Sequence, residues 1–90
     1  MANSPQARKR ARQAEVSRQR NAGQRSRLRT YIKRARAAIL AGDVDAARET
    51  TRTAQTEIDR ACGHGLLHRN TAARYKSRLN RAVQKLAAAS

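Results

Sequence analysis

The chain has 90 residues, with 21 Lys or Arg against six Asp or Glu, and a formal charge of +15. It has no Trp, no Phe and one Cys, and much of its apolar content is alanine, which favours helix but buries little surface. These values exclude a large enclosed core, an internal disulfide and a membrane span of ~20 apolar residues. They leave a small helical protein with a thin core and a polyanion as its natural partner.

The first element starts at Ser4-Pro5, since Ser caps a helix and Pro is tolerated at its first position. No strong stop follows until Gly42, so one helix is predicted over 4–41. Leu28, Ile32, Ala35 and Ile39 repeat at helical spacing and can pack on other helices. Upstream, Ala7, Ala11 and Ala14 continue that phase with methyl groups only, so the first half is expected to project beyond the core. Gly42-Asp43 ends this helix and caps a second over 43–62, whose seam is Val44, Ala47, Thr51, Ala54, Ile58 and Ala61. Gly63 and Gly65 break the chain around His64, and Leu66 and Leu67 plug the end of the core. Asn70 is the expected cap of a third helix over 70–87, with Ala72, Tyr75, Leu79, Ala82, Val83 and Leu86 on one face.

No segment alternates with period two, and no strand is expected. Short turns imply neighbours running in opposite directions. The predicted fold is therefore all-α: an antiparallel three-helix bundle, one domain over 1–90, with a long basic first helix extending beyond the core.

Charge is unevenly placed along this frame. Residues 1–36 hold twelve basic groups and only Glu15, and residues 64–90 hold six basic groups and no acid. Between them, Arg48, Arg52 and Arg60 face five acids. Basic groups three and four apart repel one another in an isolated helix, as Arg8 and Arg12 or Arg25 and Arg29 would. Phosphates turn that repulsion into attraction, and guanidinium forks hold phosphate oxygens bidentately. A rigid helix charged around its circumference suits the inside of a folded RNA better than one groove of a duplex. Tyr31 and Tyr75 could stack on bases, but both are in phase with their seams, which assigns them first to the core.

Other chemistry is poorly served. Cys62, His64 and His68 lack a fourth metal ligand and an orienting acid, so neither metal nor cofactor is expected. No nucleophile sits beside a base and no two carboxylates converge, so an enzyme is not expected, nor a small-molecule substrate. The N-terminal segment has basic residues but neither the apolar run of a secretory signal nor the apolar face of a presequence. Nor does the basic helix have the apolar face that membrane binding needs. A cytoplasmic protein is expected. From composition alone, a nucleoid-associated DNA-compacting protein is the alternative to an RNA-binding one.

Three stretches carry a family likeness: NSPQARKRARQ, SRQRNAGQRSRLRTYIKRARAAILAGD and GHGLLHRNTAARYKSRLN. They resemble the bacterial small-subunit ribosomal protein S-twenty family over nearly the whole chain. The resemblance implies a three-helix bundle with an extended first helix, and a structural constituent of the small ribosomal subunit. Such a protein binds 16S rRNA directly, at its 5′ domain and its long penultimate helix, and stabilises RNA folding during early assembly. Other small-subunit proteins are further possible partners.

Matched to these stretches, the implied RNA contacts are Arg8, Lys9, Arg10 and Arg12 from the first. The second supplies Arg18, Arg20, Asn21, Arg25, Ser26, Arg29, Lys33 and Arg34. The third supplies His68, Arg69, Asn70, Arg74, Lys76 and Arg78. The chain departs from the expected pattern at Gly23, inside the long helix, and at Tyr75, where a polar or basic group is expected. Arginine also replaces most of the lysines.

Overall fold

A computed structural model describes residues 4–89, and all regular structure in it is helical: α1 (Pro5–Ala41), α2 (Val44–Gly63) and α3 (Arg69–Ala89). No strand occurs among the described residues. The start of α1 is fixed by Ser4, whose extended backbone (φ −69°, ψ 154°) lets its hydroxyl accept the Ala7 N–H at 3.1 Å, with Pro5 next in line. From there α1 runs 37 residues and passes through Gly23 without a break. At ~1.5 Å per residue that is roughly 55 Å, and it sets the long dimension of a molecule measuring 66 × 21 × 16 Å.

Gly42 ends α1 because its φ of 78° is left-handed, a conformation that side chains disfavour; its N–H donates to the Ile39 carbonyl at 3.1 Å. Asp43 follows at once as the cap of α2, accepting the Ala46 N–H at 3.1 Å. α2 continues one residue past the predicted limit and includes Gly63. Its actual stop is Gly65, at φ 76°. There the Leu66 N–H donates to the Ala61 carbonyl at 2.9 Å and the Gly65 N–H to the Cys62 carbonyl at 3.1 Å. This paired arrangement is a Schellman ending, and its apolar residue Leu66 packs onto the core together with Leu67.

The third helix corrects the sequence reading. Asn70 does not cap it but lies inside it, and the helix spans Arg69–Ala89 rather than 70–87. His68 does the capping. Its carbonyl accepts the Ala72 N–H at 3.0 Å, and its ring Nδ1 accepts the Asn70 N–H at 3.1 Å. An imidazole nitrogen can replace the usual Asn or Ser oxygen because only an acceptor is needed there.

One cluster joins all three helices: Leu28, Ile32 and Ala35 of α1, Ala54, Ile58 and Ala61 of α2, Ala72 and Leu79 of α3. Among the described residues five of the ten buried apolar side chains are alanines, so the helices gain close approach but little buried area. Gln55 bonds Asn80 at 2.7 Å and Lys76 pairs with Asp59 at 3.0 Å across α2 and α3.

One buried group works against this core. Thr51 is 3% exposed, and its hydroxyl has no hydrogen-bond partner among the described residues. A desolvated, unpaired hydroxyl costs about 1–3 kcal/mol. Thr51→Val keeps the shape and removes the cost, so it is expected to raise stability by about 1 kcal/mol, as a thermal unfolding midpoint some 4–8 °C higher. An unchanged or lower midpoint would contradict this account of Thr51.

Candidate nucleic-acid interface

The first buried side chain of α1 is Leu28, so 23 helical residues, roughly 35 Å, precede the core. Along this arm Arg8, Lys9, Arg10, Arg12, Arg18, Arg20, Asn21, Arg25 and Ser26 are all exposed. The arm's one acid, Glu15, is engaged by its neighbours: Arg18 pairs with it, and the Gln19 amide donates to it at 3.2 Å. Exposed pairs of this kind contribute little stability. Among the described residues, Arg8, Lys9, Arg10, Arg12, Arg20 and Arg25 form no ion pair, so this part of α1 carries its repulsion unrelieved.

Beyond Leu28 the basic residues share the helix with the core. Arg29, Lys33 and Arg36 recur at helical spacing and are exposed beside the buried Leu28, Ile32 and Ala35. Tyr31 is half-buried against the core, and the guanidinium carbons of Arg27 and Arg34 lie 5.8 and 5.7 Å from its ring centroid. Both are in cation–π range. Interaction with Tyr31, and more weakly with Glu57, raises the Arg27 pKa above its already high ordinary value. Arg27 therefore stays charged throughout any physiological range.

On the α3 side, His68, Arg69, Asn70, Arg74 and Arg78 are exposed. His68 and Asn70 are tied to each other by the cap, which leaves Nε2 as the donor nitrogen of the imidazole. Lys76, like Arg18, is ion-paired within the chain: its ammonium is diverted to Asp59 of α2. That diversion depends on how α2 and α3 are aligned, which no local pattern reveals.

α1 and α3 meet less extensively than either meets α2, and the space between them opens as a groove. Arg29, Lys33 and Arg36 line it from α1, and Arg74 and Arg78 from α3. No acidic residue is among those lining it. Arg36 was not among the contact candidates, although its place three residues after Lys33 and seven after Arg29 puts it on their face. The acids lie elsewhere: all but Glu15 are on α2 or its cap. No group of three or more His, Cys, Asp or Glu is arranged to hold a metal among the described residues, and none of their helices is long and apolar enough to cross a membrane.

A helical protein with a thin alanine-rich core, an exposed basic arm and a basic groove belongs to the class that assembles against a polyanion rather than enclosing a substrate. The comparisons with known proteins say which one. Residues 2–84 match the model of the family described as Ribosomal protein S20. The chain is 54% identical over 88 residues to the small ribosomal subunit protein bS20 of Alcanivorax borkumensis and 56% identical to that of Psychrobacter sp. strain PRwf-1. The protein of the same name from Teredinibacter turnerae is 53% identical. Each alignment covers 98% of this chain and all of the relative. The chain belongs to the bacterial ribosomal protein S20 family. It is accordingly a structural constituent of the small ribosomal subunit, in a family of ribonucleoprotein components rather than enzymes, and its place is the cytoplasm.

Proposed function

We propose that the protein binds 16S rRNA directly and clamps two RNA elements together, the 5′ domain on one basic face and the long penultimate helix on the other. The observation that carries this reading is the unrelieved charge of α1: an arm with no core beneath it, one acid, and cationic groups around its circumference. Phosphates on several sides stabilise such a helix, and each one neutralised releases counterions. The helices serve this as a single unit packed antiparallel. Gln55 meets Asn80 and Asp59 meets Lys76, so four residues forward on α2 corresponds to four backward on α3. The folded unit then presents the arm and the α1–α3 groove as two basic surfaces, while the acid-bearing α2 contributes chiefly to the core.

Hydroxyl-radical footprinting of 16S rRNA with the bound protein tests the clamp. Two separated protected regions, one in the 5′ domain and one in the penultimate helix, are expected. A single protected patch would refute it.

The same reading predicts the behaviour of the arm alone. Helical order without tertiary contacts is weak, and Gly23 costs roughly 1 kcal/mol relative to alanine. Amides over 5–25 should therefore exchange fast in the free protein, while those around Ile58 are protected, and should slow by orders of magnitude once RNA is bound. Strong protection of 5–25 in the absence of RNA would contradict this.

A further inference from the structure

Tyr75 differs from Tyr31 in what surrounds it. The Tyr31 ring is already attended by Arg27 and Arg34, whereas Tyr75 lies where α3 faces the α1–α3 groove and lines three adjoining depressions of it. It is half-buried and packed against the core, so the ring's position is fixed before any ligand arrives. In one direction the groove is apolar, formed by Ile39, Leu40, Leu79 and Ala82. Leu40 is 88% exposed there, an unusual position for a large apolar side chain in a protein of this charge. Arg36 and Arg78 flank that same apolar stretch.

We propose that this part of the groove takes an unpaired nucleotide of RNA, its base stacked on the Tyr75 ring and its flanking phosphates held by Arg36 and Arg78. The proposal rests on the RNA-binding reading above and names a site within it. Two features of the groove select this ligand. The apolar floor between the two guanidinium groups would lie unused against a duplex backbone, which presents only sugars and phosphates. It matches a nucleotide, which is flat and apolar on its base faces and anionic at its ends. The depression, about 260 Å³, is below the range of drug-sized pockets and of the order one base requires. Stacking is tolerant of base identity, so the site adds affinity and register rather than sequence selection.

The test uses the full chain, which contains no tryptophan, and naked 16S rRNA. In Tyr75→Trp the new indole is the sole one, and its emission should be strongly quenched as RNA saturates the protein. Tyr75→Phe should bind within twofold of the parent. Tyr75→Leu keeps apolar volume but cannot stack, and should bind about tenfold more weakly or worse, with helicity checked by circular dichroism. Unchanged indole emission, or a folded Tyr75→Leu that binds like the parent, would overturn the proposal and leave Tyr75 as a core residue. Should the leucine variant fail to fold, the indole titration decides alone. A parent chain that binds RNA normally beside an unaffected leucine variant rejects the nucleotide site only; a parent with no preference for 16S rRNA rejects the RNA-binding reading and this site together.

Discussion

Replacing Arg8, Lys9, Arg10 and Arg12 together by glutamine should lower affinity for 16S rRNA about a hundredfold at physiological salt. It should also flatten the log–log salt dependence by about three, because each lost phosphate contact removes 0.7–0.9 from the slope. Stability should hardly move. All four side chains are exposed, they lie at the opposite end of the arm from Leu28, and none makes an ion pair among the described residues. Glutamine preserves helix propensity, so a loss of binding cannot be blamed on an unfolded arm. Filter binding across a salt series reads both quantities. A loss below threefold, with the slope intact, would mean that these four residues do not meet phosphate.

Ile58→Ala should have the opposite profile. Among the described residues Ile58 is the largest fully buried side chain, 0% exposed, in the C-terminal half of α2 and in the cluster joining all three helices. Its truncation removes apolar contact and leaves a cavity that rigid helices cannot close, at about 2–5 kcal/mol. Small domains have about 5–15 kcal/mol in total, and an alanine-rich core places this one toward the low end. The thermal midpoint should therefore fall by about 10–25 °C. RNA binding well below that midpoint should survive, because no basic group has moved. Scanning calorimetry of the free protein and of its RNA complex separates the two effects; a drop under 3 °C would show that the core does not depend on Ile58.

The two substitutions divide the molecule as its sequence does. Helix ends were legible wherever a residue with special chemistry stood at the boundary: Ser4 and Asp43 with acceptor side chains, Gly42 with access to positive φ. The third helix was misjudged at its start because Asn is the commoner cap, while His68 caps through Nδ1 only when its ring folds back over Asn70. Gly63 looked like a breaker beside Gly65, yet only Gly65 takes the left-handed conformation that ends α2.

Seams were legible from spacing, and Leu28, Ile32, Ala54, Ile58 and Leu79 are buried where the period puts them. Their pairing was not. Whether Lys76 faces RNA or Asp59 depends on the alignment of α2 against α3, and Arg36 joins Arg78 beside one groove only once α1 and α3 are set side by side. Tyr75 shows the same limit, since a seam position on a helix can be core on one edge and groove on the other. Charge could be counted along the chain, but the surfaces it forms belong to the assembled helices.

A comparison of polyanions tests direct RNA binding most directly. Purified protein would be titrated against 16S rRNA and against duplex DNA of matched length across a series of salt concentrations. A site-limited RNA complex that persists at salt sufficient to strip the DNA is the predicted result. Equal affinities falling with the same steep slope would contradict it, and would make charge alone, and hence a DNA-compacting role, the better description of the protein.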